Sequence, residues 1–150
     1  MAEYALAVPF AGLPGIEIVG VPNDLPPHVT VLYPVPDDVE AITQVLAPFD
    51  RFDVRFERLD RFPGVLWLAP EPAEPFVLMT EAMVSRFPEC KPYGGVYSSI
   101  VPHLTVAQAQ LDETAALVEP LLPLHSRVES VVLYESAGGD HWHERATFDL

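Results

Sequence analysis

Apolar residues recur along this chain with two different periods. Phe52–Leu59 alternates apolar with charged side chains, the period-2 pattern of a strand with one face in water. His28–Tyr33, Val65–Ala69, Ile100–Ala107, Arg127–Tyr134 and His143–Phe148 are short runs rich in β-branched or aromatic residues, separated by turn residues. They read as further strands. Glu3–Pro9 reads as a short buried strand. Val39, Ile42, Val45 and Leu46 instead fall at helical spacing, as do Phe76, Met79, Met83 and Phe87. The first set predicts a helix capped by Asp37, with Glu40 completing a capping box, that ends near Pro48. The second predicts a helix over Pro72–Phe87, and Asp112–Leu122 predicts a third, capped by Asp112. Ala11–Pro27 and Pro88–Ser99 read as loops, the first with one short extended piece. Pro63-Gly64 and Gly138-Gly139-Asp140 read as turns between strands. Hairpins mixed with helices, in place of strict strand–helix–strand alternation, put the chain in the α+β class with mostly antiparallel sheet.

Composition narrows the field. At 150 residues the chain is expected to form one domain, large enough to need no disulfide or metal staple. Cys90 is the single cysteine, so no intrachain disulfide forms. No apolar run approaches a membrane span, and Met1-Ala2-Glu3-Tyr4 lacks the basic and apolar segments of a signal peptide. A cytoplasmic address and a monomer are the expectations. The net charge is −14, and Lys91 is the only lysine. This argues against extended nucleic-acid binding and against an anionic membrane surface, both of which need a basic face. One phosphate held in a pocket remains compatible with it.

One motif stands above the rest. Pro27-His28-Val29-Thr30-Val31 recurs as Pro102-His103-Leu104-Thr105-Val106, with the histidines 75 residues apart. Such self-similarity suggests a duplicated unit, here two halves related by a pseudo-two-fold axis. In a strand, residues i and i+2 share a face. His28 and Thr30 therefore point one way, as do His103 and Thr105, while Val29, Val31, Leu104 and Val106 point the other. If the two strands lie side by side, two imidazoles and two hydroxyls converge on one cleft. Two imidazoles can act as a general acid and general base near neutral pH. The threonine hydroxyls can donate hydrogen bonds to phosphate oxygens. The repeat contains no carboxylate or third ligand, which favours metal-free acid–base chemistry. A single His-x-Thr is a weak signal, but the matched pair is a strong one.

At these residues the chain resembles the two-histidine (2H) phosphoesterase superfamily, in particular its 2′-5′ RNA ligase-like and cyclic phosphodiesterase group. Pro26–Pro34, Phe62–Leu68 and Pro92-Tyr93-Gly94-Gly95 are similar too. The resemblance implies a bilobal, pseudo-two-fold duplicated α+β fold, with antiparallel sheets around a central cleft and helices outside. It also implies a metal- and cofactor-independent enzyme that opens 2′,3′-cyclic phosphates or makes and breaks 2′-5′ phosphodiesters. Carried over, His28 is the acid, His103 the base, and Thr30 and Thr105 hold the phosphate. Some RNA-acting relatives carry an arginine three residues after the second threonine, where this chain has Gln108. Glutamine can hydrogen-bond a phosphate but cannot neutralise it. A small cyclic-phosphate nucleotide or one RNA terminus is therefore the expected partner. Tyr33, Tyr93 and Tyr97 are candidates for contacting a base or ribose. The alternative reading is a non-catalytic nucleotide- or phosphate-binding module on the same scaffold.

Other chemistry-bearing residues carry less. His141-Trp142-His143 lacks a third metal ligand at a recognisable spacing. Cys90 has no histidine partner in sequence, which argues against a nucleophile. Arg51, Arg55, Arg58 and Arg61 concentrate positive charge after the first helix. One of them reaching the cleft would supply the charge missing at Gln108.

Overall fold

The structure is a computed structural model that describes residues 2–10, 13, 15–92 and 99–150. In chain order its elements are β1 (Glu3–Pro9), β2 (His28–Leu32), α1 (Val39–Leu46), β3 (Phe52–Phe62), β4 (Val65–Glu71) and α2 (Glu74–Arg86). These are followed by β5 (Leu104–Ala107), α3 (Leu111–Val118), a short 3-10 turn (Glu119–Leu121), β6 (Leu124–Val128), β7 (Ser130–Ser136) and β8 (His143–Asp149). The strands form one curled antiparallel sheet in the order β6-β3-β4-β5-β2-β1-β7-β8. The α+β antiparallel class read from the sequence is the observed one. Its four-stranded halves join where β2 pairs with β5, at Val29 and Leu104.

Strand alternation decides what each face does. Val29, Val31, Leu104 and Val106 are buried in one cluster with Phe76, Met79 and Met83 of α2. Burying one such side chain stabilises the fold by roughly 1.5–3 kcal/mol. The α2 helix follows β4 in sequence yet packs across the junction on β2 and on α1. Its Thr80 hydroxyl donates to the Val31 carbonyl of β2 at 2.8 Å. The segment after β1 makes the reverse crossing. Val19 bridges Ala107, its N–H donating to Val106 O at 3.0 Å and its carbonyl accepting from Gln108 N at 2.8 Å. Each half thus lends a connecting segment to the other, and the paired faces of β2 and β5 are closed from behind.

Several boundaries differ from the sequence reading. The cap of α1 is Asp38, whose carboxylate accepts the Ala41 N–H at 3.1 Å, while Asp37 pairs with Arg145 outside the helix. Helix α3 is not capped by Asp112. It starts from Gln110 in the left-handed conformation (φ 53°), and Asp112 sits in the first turn, where it pairs with Arg61 at 2.8 Å. A negative charge is favourable there because it faces unpaired N–H groups. The run read as one strand over Arg127–Tyr134 is two, β6 and β7, which pair with β3 and β1 in opposite halves. Strand β5 begins only at Leu104, because Pro102 has no N–H to give a ladder. The hairpin at Pro63-Gly64 forms as expected, with Gly64 at φ +75°. No helix among the described residues is long and apolar enough to cross a membrane.

The Thr80–Val31 bond crosses the junction inside the core, so it reports on the docking of α2. Thr80→Val keeps the shape and removes the donor. It is expected to lower unfolding stability by about 1–2 kcal/mol, read as a lower urea midpoint with unchanged slope.

Candidate active site

The pairing of Val29 with Leu104 fixes the geometry of the repeat. Extending that antiparallel register by one residue each way sets His28 opposite Thr105 and Thr30 opposite His103. All four lie on the face turned away from α2. The two histidines are then diagonal neighbours, roughly 7–8 Å apart at the backbone. Thr30 also faces Ala7 of β1, and Thr105 faces Trp67 of β4.

Both imidazoles are held in the same way. His28 Nδ1 lies 2.8 Å from the Pro26 carbonyl and His103 Nδ1 lies 2.7 Å from the Val101 carbonyl, each two residues upstream. A carbonyl only accepts, so Nδ1 carries the hydrogen in both rings and Nε2 keeps the lone pair when the ring is neutral. The proline that precedes each histidine makes this possible, because it favours the extended backbone of the residue before it. Burial pushes both imidazoles below the ordinary histidine value of 6.5, against the opposing effect of the carbonyl bonds. For His28 a charge on His103 adds to the lowering. His103 is also walled by aromatic rings, Phe62 at 5.1 Å and Trp67 at 5.8 Å between centroids, which stack on one another at 4.8 Å.

On the His28 side the face is open. Small residues in β1, Ala5 and Ala7, floor a cavity of about 330 Å³ that also reaches His28 and Thr30. Tyr33 and Trp142 stand at its side in an edge-to-face pair, 5.9 Å between centroids. The Tyr33 hydroxyl donates to Glu3 Oε2 at 2.9 Å, and burial followed by this carboxylate raises its pKa. Asp24 ties the far wall together, accepting the Trp142 N–H at 2.8 Å and contacting His141 Nδ1 at 3.2 Å. The Trp142 N–H is the main reason the Asp24 carboxyl titrates low.

The residues singled out by sequence fall into three groups. His28, Thr30, His103 and Thr105 share one face by register, and Tyr33 joins His28 and Thr30 at the cavity. Gln108 is exposed just past the end of β5 and does not line that cavity. Tyr93 and Tyr97 lie outside the described residues. No arginine reaches the cavity either. Every arginine of the chain forms an ion pair with a carboxylate, among them Arg51–Glu129, Arg58–Asp60 and Arg61–Asp112. The two histidines flanking Trp142 take separate partners, Asp24 and Glu135. Sequence reasoning missed Glu3, Asp24, Trp67 and Trp142. A tryptophan beside Gly138-Gly139-Asp140 was the available signal for the last. Trp67 carries a buried Nε1–H with no hydrogen-bond partner among the described residues, a cost of about 1–3 kcal/mol that its packing must offset.

The lowered imidazoles make stability depend on pH. The unfolded chain binds more protons than the folded one just below pH 6.5, so stability is full above that value and falls as pH drops toward the folded values. A His28→Gln/His103→Gln variant is expected to lose less stability than wild type between about pH 7 and pH 5.5 in urea titrations. An equal loss would contradict the burial of both rings.

Comparison with known proteins follows the same lines. A search of curated protein sequences finds no match. Among solved structures the chain is similar to E. coli LigT in its apo form, with a TM-score of 0.63 and 15% identity over 99% of this chain and 96% of that one. It is also similar to E. coli LigT complexed with 3′-AMP, with a TM-score of 0.61 and 14% identity over 99% and 97%. A structure described as a phosphoesterase gives a TM-score of 0.59 and 16% identity over 99% and 97%. These likenesses establish the fold. The sequence model of the 2′-5′ RNA ligase superfamily matches residues 21–140, most of the chain including both histidine motifs, and the chain belongs to that superfamily.

Proposed function

We propose that this protein is a metal-independent phosphodiesterase that opens 2′,3′-cyclic phosphates by paired histidine acid–base catalysis. One observation carries the reading: both imidazoles are pinned through Nδ1–H to the carbonyl two residues upstream, on one face, across the β2–β5 junction. With Nδ1 occupied, Nε2 is the nitrogen through which each ring exchanges its proton. Neutral His103 takes a proton from water through Nε2 as the water oxygen attacks phosphorus. The bond from phosphorus to one ribose oxygen breaks on the opposite side. Protonated His28 gives its Nε2 proton to that oxygen. Thr30 and Thr105 donate to the non-bridging oxygens, where negative charge builds. Solvent then returns the two histidines to their starting protonation.

The assignment of His103 as base and His28 as acid is carried over from the resemblance of the two motifs. Burial favours the neutral form of both rings, and for His28 a charge on His103 adds to this, so either ring can start neutral as a base requires. His28 borders a cavity that has room for a leaving nucleoside. With every arginine paired and a net charge of −14, substrate charge is met by imidazolium and by hydroxyl dipoles. That favours one phosphate over an extended RNA strand, and hydrolysis over joining RNA ends.

Hydrolysis of the four 2′,3′-cyclic nucleotides is expected to persist in excess chelator. His28→Ala and His103→Ala are each expected to lower kcat by about 10²–10⁴-fold. Since both free-enzyme imidazoles titrate below 6.5, kcat/KM is expected to trace a bell with its maximum on the acid side of pH 6.5. A flat profile between pH 5 and 8, or activity abolished by chelator, would exclude this mechanism. Ligand binding without turnover under any of these conditions would mark a binding module instead.

A further inference from the structure

In-line displacement links the open cavity to the substrate. Water attacks from the His103 side, so the leaving oxygen departs on the His28 side. In a 2′,3′-cyclic nucleotide that oxygen belongs to the ribose, and the base travels with it. The ring of the base therefore belongs in the cavity floored by Ala5 and Ala7. The asymmetry of the repeat makes room for it. Ala7 faces Thr30 where Trp67 faces Thr105, so the small side chain leaves room on the His28 half that the large one takes up on the other. The cavity, about 330 Å³, lies at the small end of the usual ligand-pocket range of roughly 300–1,000 Å³. Apolar contact comes from Leu25 and Trp142, which pack on Ala7, Val132 and Tyr134.

The polar groups at its rim are unequal in kind. Glu3 and Asp140 bring carboxylates, and no lysine or arginine lines the cavity. Glu3 receives one hydrogen bond, from Tyr33, and a carboxylate has room for more. Asn23 uses its side-chain oxygen on the Leu25 N–H at 3.2 Å. A carboxylate rim rewards a ligand edge that donates and repels one that presents carbonyl oxygens. Cytosine offers an amino group where uracil offers a carbonyl, and adenine and guanine also carry amino groups.

We infer that the cavity beside His28 is a subsite for the leaving nucleoside that selects bases bearing an exocyclic amino group, with Glu3 and Asp140 as acceptors. This rests on the phosphodiesterase reading for the direction of departure.

Cytosine against uracil is the cleanest comparison, because the two rings match in size. Wild type is expected to show kcat/KM for 2′,3′-cyclic CMP about tenfold above that for 2′,3′-cyclic UMP. Kd for 3′-CMP and 3′-UMP, which need no turnover, is expected to follow the same order. Glu3→Gln or Asp140→Asn narrows the ratio. Tyr33→Phe, which frees Glu3 of its one bond without removing the carboxylate, preserves it. Equal values for the two bases, or a ratio unmoved by both carboxylate variants, overturns the subsite while leaving the hydrolytic chemistry intact. Cytidine-selective binding with no hydrolysis of either nucleotide supports the subsite and rejects the phosphodiesterase reading. Neither binding nor hydrolysis overturns both.

Discussion

Antiparallel pairing of Val29 with Leu104 holds the rest of the structure in place. These two residues are equivalent positions of the repeat, so a local two-fold axis passes between them. Behind the pair, the apolar side chains of both strands share one core with α2. In front of it, each histidine stands opposite the other motif's threonine. The exchange of connecting segments protects this junction. The α2 helix crosses to lock β2 from behind, and the segment around Val19 crosses to extend the edge of β5. A sheet joined through so short a pairing needs such straps, since one residue pair contributes little by itself.

Electrostatics set the chemistry within that frame. In this strongly acidic chain every arginine lies beside a carboxylate, and none lines the cavity next to His28. In the proposed mechanism positive charge comes from a protonated imidazole, and burial makes that charge costly when no anion is present. In that mechanism an arriving phosphate offsets the cost. Protonation and substrate binding then favour one another, a coupling that a permanent cation would not produce.

Much of this was legible in the residues. The repeat located both motif strands because proline brackets and period-2 alternation are local signals. Phe76, Met79, Met83 and Phe87 all proved buried, as helical spacing predicts. What stayed hidden was set by tertiary context. Asp38 and Asp37 are interchangeable as capping residues in sequence, and an ion pair with Arg145 decides between them. Arg127–Tyr134 carries one continuous strand-like pattern, and only the pairing of its two ends with opposite halves of the sheet splits it. The cavity walls were invisible for the same reason: Glu3, Asp24 and Trp142 are far apart in sequence and meet through β1, β7 and the loops between strands. The arginines illustrate the reverse. Their clustering suggested a cation for the cleft, and the structure sets each of them beside an exposed carboxylate instead.

The central claim is that both imidazoles are fixed with Nδ1 as donor and Nε2 as the working nitrogen. Nitrogen-15 NMR of the labelled histidines, at a pH where both are neutral, tests it most directly. The account predicts that His28 and His103 each show a protonated Nδ1 and an unprotonated Nε2, and that both rings gain a proton more readily when a nucleoside monophosphate is added. A hydrogen on Nε2 of either neutral ring, or titration of the two rings indifferent to the added phosphate, would contradict it.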